Sequence, residues 1–381
     1  MSQVYGADEL LRDVLQKDIC SGCGGCVDLC PYLKNYRGKT IMVFPCTLAE
    51  GRCYAHCPMA EVDLDELSKK MWNKPYEGRP LGTYLKILSS KAGKKMPSRS
   101  YQAGGTVSSL MTFALKEGII DAAVLTDKEG WIPIPRLVTQ PEDVFKCAGS
   151  KFSASPTLAA LNLGAKKGYC RMGVVGTPCQ GLSIAQMRGN LLNEKEFHDP
   201  VEFVIGLFCT WAVDTREFTS LLSAYVGTQR ITGMDIPAPP SNIMVVHTAE
   251  TRIEIPLDRL RPLIPASCRI CPDMTSEWTD VSVGILEGRP EWNTLIIRTE
   301  RGHRIVNAAG QAGYLETGEM PKESLQHLCE SAAHKKRQAV YRAKKEGLLN
   351  TASRGRHSVF RMPEKVARRI LAQKAEEICL S

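Results

Sequence analysis

Cysteines dominate the chemistry this chain offers. It has 381 residues and 15 cysteines, seven of them between Cys20 and Cys57. Cys20, Cys23, Cys26 and Cys30, followed by Pro31, read C-x2-C-x2-C-x3-C-P. This is the spacing of a ferredoxin-type 4Fe–4S site, in which three thiolates on one tight turn take three corners of a cube. The small residues between them (Ser21, Gly22, Gly24, Gly25) let backbone amides approach the sulfurs. A zinc site would ordinarily use pairs of cysteines instead. A second run, Cys46-x6-Cys53-x3-Cys57-Pro58, repeats the closing C-x3-C-P. The fourth cysteine of such a run serves the other cluster, so Cys57 is expected to join Cys20, Cys23 and Cys26. Cys30, Cys46 and Cys53 are then left for a second cluster and are one thiolate short. Val43 stands where a further cysteine would precede Cys46 with two residues between them. A 3Fe–4S cluster, a 4Fe–4S cluster with a non-cysteine ligand such as His56, and an empty remnant all fit this set.

A third constellation is scattered: Cys179 in GTPCQG, Cys209 in GLFCTW, and Cys268-x2-Cys271-Pro272. These four suit another 4Fe–4S cluster, although a C-x2-C pair also suits zinc or thiol redox chemistry. Cys147, Cys170, Cys329 and Cys379 belong to no spacing pattern and read as small hydrophobes or surface thiols. Two glycine-bearing loops are candidate phosphate sites. Gly104, Gly105, Thr106, Val107, Ser108 and Ser109 open an amphipathic helix, whose first turn offers free N–H groups and a positive dipole. Gly149–Ser153 adds Lys151 within a loop of small residues that includes Ser153.

The elements that must position these residues alternate between helix and strand. Val107, Leu110, Met111, Ala114 and Leu115 share one helical face, and Gly118 stops the helix. Ile119, Ile120 and Ala122–Leu125 read as a buried strand, as do residues 172–176, 202–209, 281–284 and 294–299. The fold class expected is an α/β body with a mixed, partly parallel sheet, preceded by a small ferredoxin-like iron–sulfur domain and followed by a basic helical tail. The expected boundaries are 1–65 for the iron–sulfur domain, 66–99 for a connector, 100–330 for the body and 331–381 for the tail. In such sheets chemistry gathers beyond the carboxyl ends of the strands, where Cys179 and Cys209 fall.

Composition sets the limits. The chain is 43 % hydrophobic and 24 % charged, ordinary values for a globular protein and not those of collagen, coiled coil or a disordered chain. The net charge of +8 is uneven: residues 331–381 carry 13 basic and 4 acidic side chains. That surplus suits a solvated helix face or a dock for an acidic partner, and no nucleic-acid motif accompanies it. No run is long and apolar enough to cross a bilayer, and the N-terminus lacks a signal-peptide pattern. A cytoplasmic protein without a membrane span is expected, either free or at the periphery of a membrane complex.

The ordered string GGTVSSLMTFALKEGIIDAAVLT, GSKFSASP, GTPCQG, IGLFCTW, IPLDRLRPLIPASCRICPDMTSEWTDVSVG and TLIIRTERG resembles the coenzyme F-420 hydrogenase/dehydrogenase beta-subunit family of iron–sulfur flavoproteins. The resemblance runs from about Tyr101 to Gly302. It implies FAD and a 4Fe–4S cluster in the body. It implies Cys179, Cys209, Cys268 and Cys271 as ligands of that cluster, and the Gly104–Ser109 turn, Lys151 and Thr177 as FAD contacts. It further implies hydride exchange with coenzyme F-420. Single electrons would then pass by the clusters to or from a hydrogenase, formate dehydrogenase, heterodisulfide reductase or quinone-linked complex. Some members use ferredoxin instead. The incomplete second cysteine set departs from members with two full sets. Two other expectations compete: a homologue using ferredoxin or NAD(P)H, and a pure electron-relay subunit without hydride chemistry.

Overall fold

A computed structural model describes residues 4–98, 101–190, 192, 198–237, 241–352 and 359–372. The body is organised by one eight-stranded sheet. Its strands are β1 (Lys86–Ala92), β2 (Ala122–Glu129), β3 (Ile132–Val138), β4 (Met172–Gly176), β5 (Val201–Leu207), β6 (Val281–Ile285), β7 (Asn293–Ile297) and β8 (Leu315–Gly318). They lie in the order β8-β1-β7-β6-β5-β4-β2-β3. The central pairs β6–β5, β5–β4 and β4–β2 are parallel. The flanking pairs are antiparallel. The body is therefore a mixed, partly parallel α/β sheet.

Helices cover both faces, which is why β4 is buried and apolar along its whole length rather than alternating with polar residues. The longer helices are α1 (Leu64–Trp72), α2 (Thr106–Lys116), α3 (Leu158–Lys166), α4 (Pro178–Gly189), α5 (Thr215–Val226), α6 (Glu300–Gln311), α7 (Lys322–Lys345) and α8 (Glu364–Ala372). The period of two along a strand sends neighbours to opposite faces. Ala123, Leu125 and Ile205 pack with Leu110 of α2 and Val306 of α6. Ala122, Val124 and Val204 pack with Leu161 of α3 and Ile184 of α4. A smaller antiparallel sheet, of Ile231–Asp235, Ile243–Thr248 and Arg252–Pro256, packs on α5 through Phe218, Leu222, Met244 and Val246.

Two boundaries differ from the sequence reading. The connector expected over 66–99 instead holds most of α1 and all of β1, a strand inside the main sheet. The basic tail expected over 331–381 is no appendage in its described part. The 24-residue α7 begins before it and buries Ala332, Lys336, Ala339 and Val340. Phe360–Arg361 then pairs in parallel with Val62–Asp63 of the N-terminal region. Phe360, Val366 and Ile370 share one core with Leu10, Tyr54 and Leu64. Cys379 lies outside the described residues. Among the described residues no helix is long and apolar enough to cross a membrane.

Candidate functional site

β4 ends at Gly176, and the chain turns at once into α4. Thr177 and Gln180 cap that helix reciprocally, the Thr177 amide donating to Gln180 Oε1 at 2.8 Å. Pro178 takes the first helical position, where its missing N–H costs nothing. Cys179 is thereby held on the first turn of α4. β5 runs out at Leu207, and the Cys209 amide donates to the Met274 carbonyl at 2.9 Å. Cys268 sits on the short helix Ala266–Arg269, with Cys271 just beyond it. All four line one cavity with Trp211 and Lys335.

Burial pushes the Cys179 thiol well up, as does its neighbourhood with Cys23, Cys271 and Cys209. Burial pushes Cys209 up to about 12, against the pull of Lys335, with Cys268 and Cys271 adding to the rise. Burial likewise raises Cys271. The Ala212 amide donates to Cys268 Sγ at 3.5 Å, and Thr177 Oγ1 lies 3.3 Å from Cys179 Sγ. Buried thiols that raise one another's pKa hold protons tightly unless metal cations replace them. Amide and hydroxyl donors to sulfur are the contacts by which a protein tunes an iron–sulfur cluster. The donor set therefore suits such a group.

The N-terminal cysteines fall into two neighbouring groups. Cys57 is pushed well up by burial and by Cys23, Cys26 and Cys20. Burial raises Cys53 to about 11, with Cys30 and Cys46 adding to it. Burial also raises Cys26, whose surroundings include Cys53 as well as Cys23 and Cys20. The amides of Gly22 and Gly25 point at Cys20 Sγ (3.4 Å) and Cys23 Sγ (3.5 Å). Gly24 has φ +84°, and a Cβ there would stand 2.5 Å from the Pro156 carbonyl oxygen. This loop is glycine-rich partly because it is pressed against the body. Asn162 of α3 fastens it by donating to the Val27 carbonyl at 2.6 Å.

Cys23 is thus a neighbour of the body group, and Cys26 of the outer group Cys30, Cys46 and Cys53. Val43 is exposed. His56 is 4 % exposed, and among the described residues its Nε2 has no hydrogen-bond partner. Burial, with help from Arg52, lowers its pKa to about 4. Among the described residues no three His, Cys, Asp or Glu side chains gather as a metal-ion site. A cube is gripped at its corners, so its thiolates stand farther apart than those around one ion.

The candidate flavin residues lie along the carboxyl edge of the sheet. Thr126 and Thr157 hydroxyls meet at 2.6 Å, and Gln180 Nε2 donates to the Ser155 carbonyl at 2.9 Å. The loop bearing Lys151 and Ser153 therefore runs on across the ends of β2 and β4. The Ser150 amide donates to Gln102 Oε1 at 2.5 Å, which places this loop beside the approach to α2. Much of the α2 start is used internally. Gly104 has no room for a Cβ, with Asn293 N and Ser90 O each 2.8 Å from one. The Thr106 amide donates to Asn293 Oδ1 at 3.1 Å and its hydroxyl pairs with Ser90 Oγ at 2.8 Å. The Ser109 hydroxyl donates to the Gly105 carbonyl at 3.0 Å. Val107 and Ser108 are half-buried. Lys151 donates to the Cys147 and Ala148 carbonyls. Burial lowers its pKa to about 8.

Sequence reasoning missed the charged residues beside the body cysteines. Lys336 pairs with Glu277, both buried, and Lys336 also donates to Tyr76 Oη at 3.3 Å. Arg298, 1 % exposed, donates to Ser282 Oγ, to the Leu81, Thr83 and Thr275 carbonyls and to Thr275 Oγ1. Nothing in the sequence separates Lys335 and Lys336 from the other cations around them, because a KKR run reads as solvent-facing.

Family models match most of the body. Residues 89–162 match the N-terminal model, and residues 169–323 the C-terminal model, of the family described as Coenzyme F420 hydrogenase/dehydrogenase, beta subunit. Coenzyme F420 hydrogenase subunit beta of Methanothermobacter thermautotrophicus is 30 % identical over 269 residues, which cover 68 % of this chain and 94 % of that one. Coenzyme F420-dependent sulfite reductase of Methanocaldococcus jannaschii is 28 % identical over 314 residues, 78 % of this chain and 47 % of that one. A chain in the xenon-derivatised F420-reducing NiFe hydrogenase complex of Methanosarcina barkeri superposes with a TM-score of 0.64 at 26 % identity, covering 71 % of this chain and 95 % of that one. With both models matched in order and a hydrogenase beta subunit aligned over nearly its whole length, this chain belongs to the coenzyme F420 hydrogenase/dehydrogenase beta-subunit family.

Proposed function

We propose that this chain is an oxidoreductase subunit that exchanges hydride with coenzyme F-420 at a bound FAD and passes single electrons through 4Fe–4S clusters to or from a partner enzyme. The observation that carries the reading is the succession of three cysteine groups, from the carboxyl ends of β4 and β5, through Cys20, Cys23, Cys26 and Cys57, to the half-buried Cys30, Cys46 and Cys53. A flavin takes up electrons in pairs with a hydride and releases them singly, and each cluster carries one electron.

The protein's own part is binding and insulation. Cys179, Cys209, Cys268 and Cys271 would hold the inner cluster, and Trp211, Trp278 and Met59 line the same cavity and keep water from it. Lys151 is a partly buried cation with no carboxylate paired to it among the described residues, as a phosphate-binding lysine should be. F420 in the names of both relatives supports the deazaflavin as hydride carrier.

The test is anaerobic purification with co-purifying subunits, followed by iron, sulfide and flavin analysis and oxidation of reduced F-420 with a viologen acceptor. Coloured protein with bound FAD and F-420-dependent viologen reduction is expected. Colourless protein without iron or flavin from oxygen-free cells would overturn the reading.

A further inference from the structure

Lys335 stands out among the charges near the inner cysteine group. Its ammonium donates to two backbone carbonyls, Cys209 at 2.6 Å and Asp273 at 2.7 Å, and it lines the cavity that the four cysteines share. The other cations nearby are already answered. Lys336 is paired with Glu277, and Arg298 spends its donors on carbonyls and hydroxyls. Asp273 lines the same cavity, and its carboxylate accepts from the Thr275 amide at 3.0 Å and the Glu277 amide at 2.7 Å. Lys335 lies on α7 beyond residue 323, where the match to the family model ends.

Resting on the function proposed above, we infer that Lys335 sets the reduction potential of the cluster held by Cys179, Cys209, Cys268 and Cys271, raising it by placing a fixed positive charge beside Cys209 and Cys271. Adding one electron there makes the thiolate-bound group one unit more negative and forms or breaks no bond. A neighbouring cation stabilises that reduced state, and it does so more strongly inside protein than in water. Its two carbonyl bonds fix the charge in place, so little reorganisation accompanies the electron. Lys335 is in this sense a positioning residue and touches no substrate.

The experiment is a dithionite titration of the anaerobically purified protein, followed by electron paramagnetic resonance, on wild type, Lys335→Gln, Lys335→Arg and Lys335→Met. Cys271→Ser identifies the inner signal. Lys335→Gln keeps donors for the carbonyls but loses the charge. It should lower the reduced-to-oxidised ratio of the inner signal about tenfold at fixed potential, a shift of about 59 mV for one electron. Lys335→Met, which loses both charge and donors, should shift it at least as far. Lys335→Arg should stay near wild type. The signal from the N-terminal cysteines, none of which lines the cavity of Lys335 among the described residues, should move much less, which separates electrostatics from general damage. An unmoved inner potential in Lys335→Gln, or an equal shift in Lys335→Arg, overturns the inference while leaving the function intact. Absence of any iron–sulfur signal in wild type overturns the function itself.

Discussion

Lys151 carries a charge that its surroundings make costly. Its folded pKa is lowered to about 8 by burial, against 10.5 in an open chain. At pH 7 it is protonated in both states, and the buried charge opposes folding. A depressed lysine gives back stability only as pH rises, from about 8 towards 10.5. Replacing Lys151 with Met should therefore stabilise the cofactor-free chain at pH 7, by at most about 3 kcal/mol at 1.36 kcal/mol per pKa unit. The gain should shrink by pH 10, as urea midpoints at the two pH values would show. The same variant should lose flavin on gel filtration, since the phosphate would have been the missing counter-charge. This is the familiar exchange of stability for binding. Cys23 makes a second residue-scale case, because it neighbours Cys179. Cys23→Ala should block electron delivery to the partner while F-420 still bleaches the flavin. Loss of both in a folded variant would reverse the order of centres.

Arg298 follows β7 and ties separate elements together. It reaches Leu81 and Thr83 ahead of β1, Thr275 in the loop after Cys271, and Ser282 on β6. Arg298→Leu would strand those carbonyls in the interior. Each buried acceptor left without a donor costs about 1–3 kcal/mol, to be read as a large drop in thermal midpoint by circular dichroism. At the cysteine loop, Gly24→Ala should reduce iron content, because a side chain there meets Pro156 at a positive φ.

These elements differ in how plainly the sequence announces them. Val107 to Leu115 falls within α2, and residues 172–176 are β4 itself, because both are apolar at their own period and end in glycine or a cap. β1 is hidden. Its buried Ser89 and Ser90 are polar residues satisfied inside, by the Glu319 carbonyl and Thr106 hydroxyl, so the strand reads as a linker. The cysteines stand out in the sequence because their regular spacing leaves a mark that packing does not. The lysines beside them do not, because only the tertiary fold decides which side of a basic helix faces inward.

The whole molecule closes on itself. Phe360–Arg361 adds a strand beside Val62–Asp63, and Val366 and Ile370 of α8 fill the core that Leu10, Tyr54 and Leu64 begin. A chain ended after Gly347 should bury its N-terminal cysteine loop poorly. The expected result is less iron per chain and faster protease cleavage within residues 1–65, with the body still intact.

That parallel strand pairing also has a consequence in time. Val62 leaves the ribosome about 300 residues before the segment that completes its surroundings, and contacts so distant along the chain form last. On the proposed function, iron loading of the amino-terminal cysteines would wait until Phe360 has been made, so a cell short of iron should accumulate chains that extend past it without their cluster.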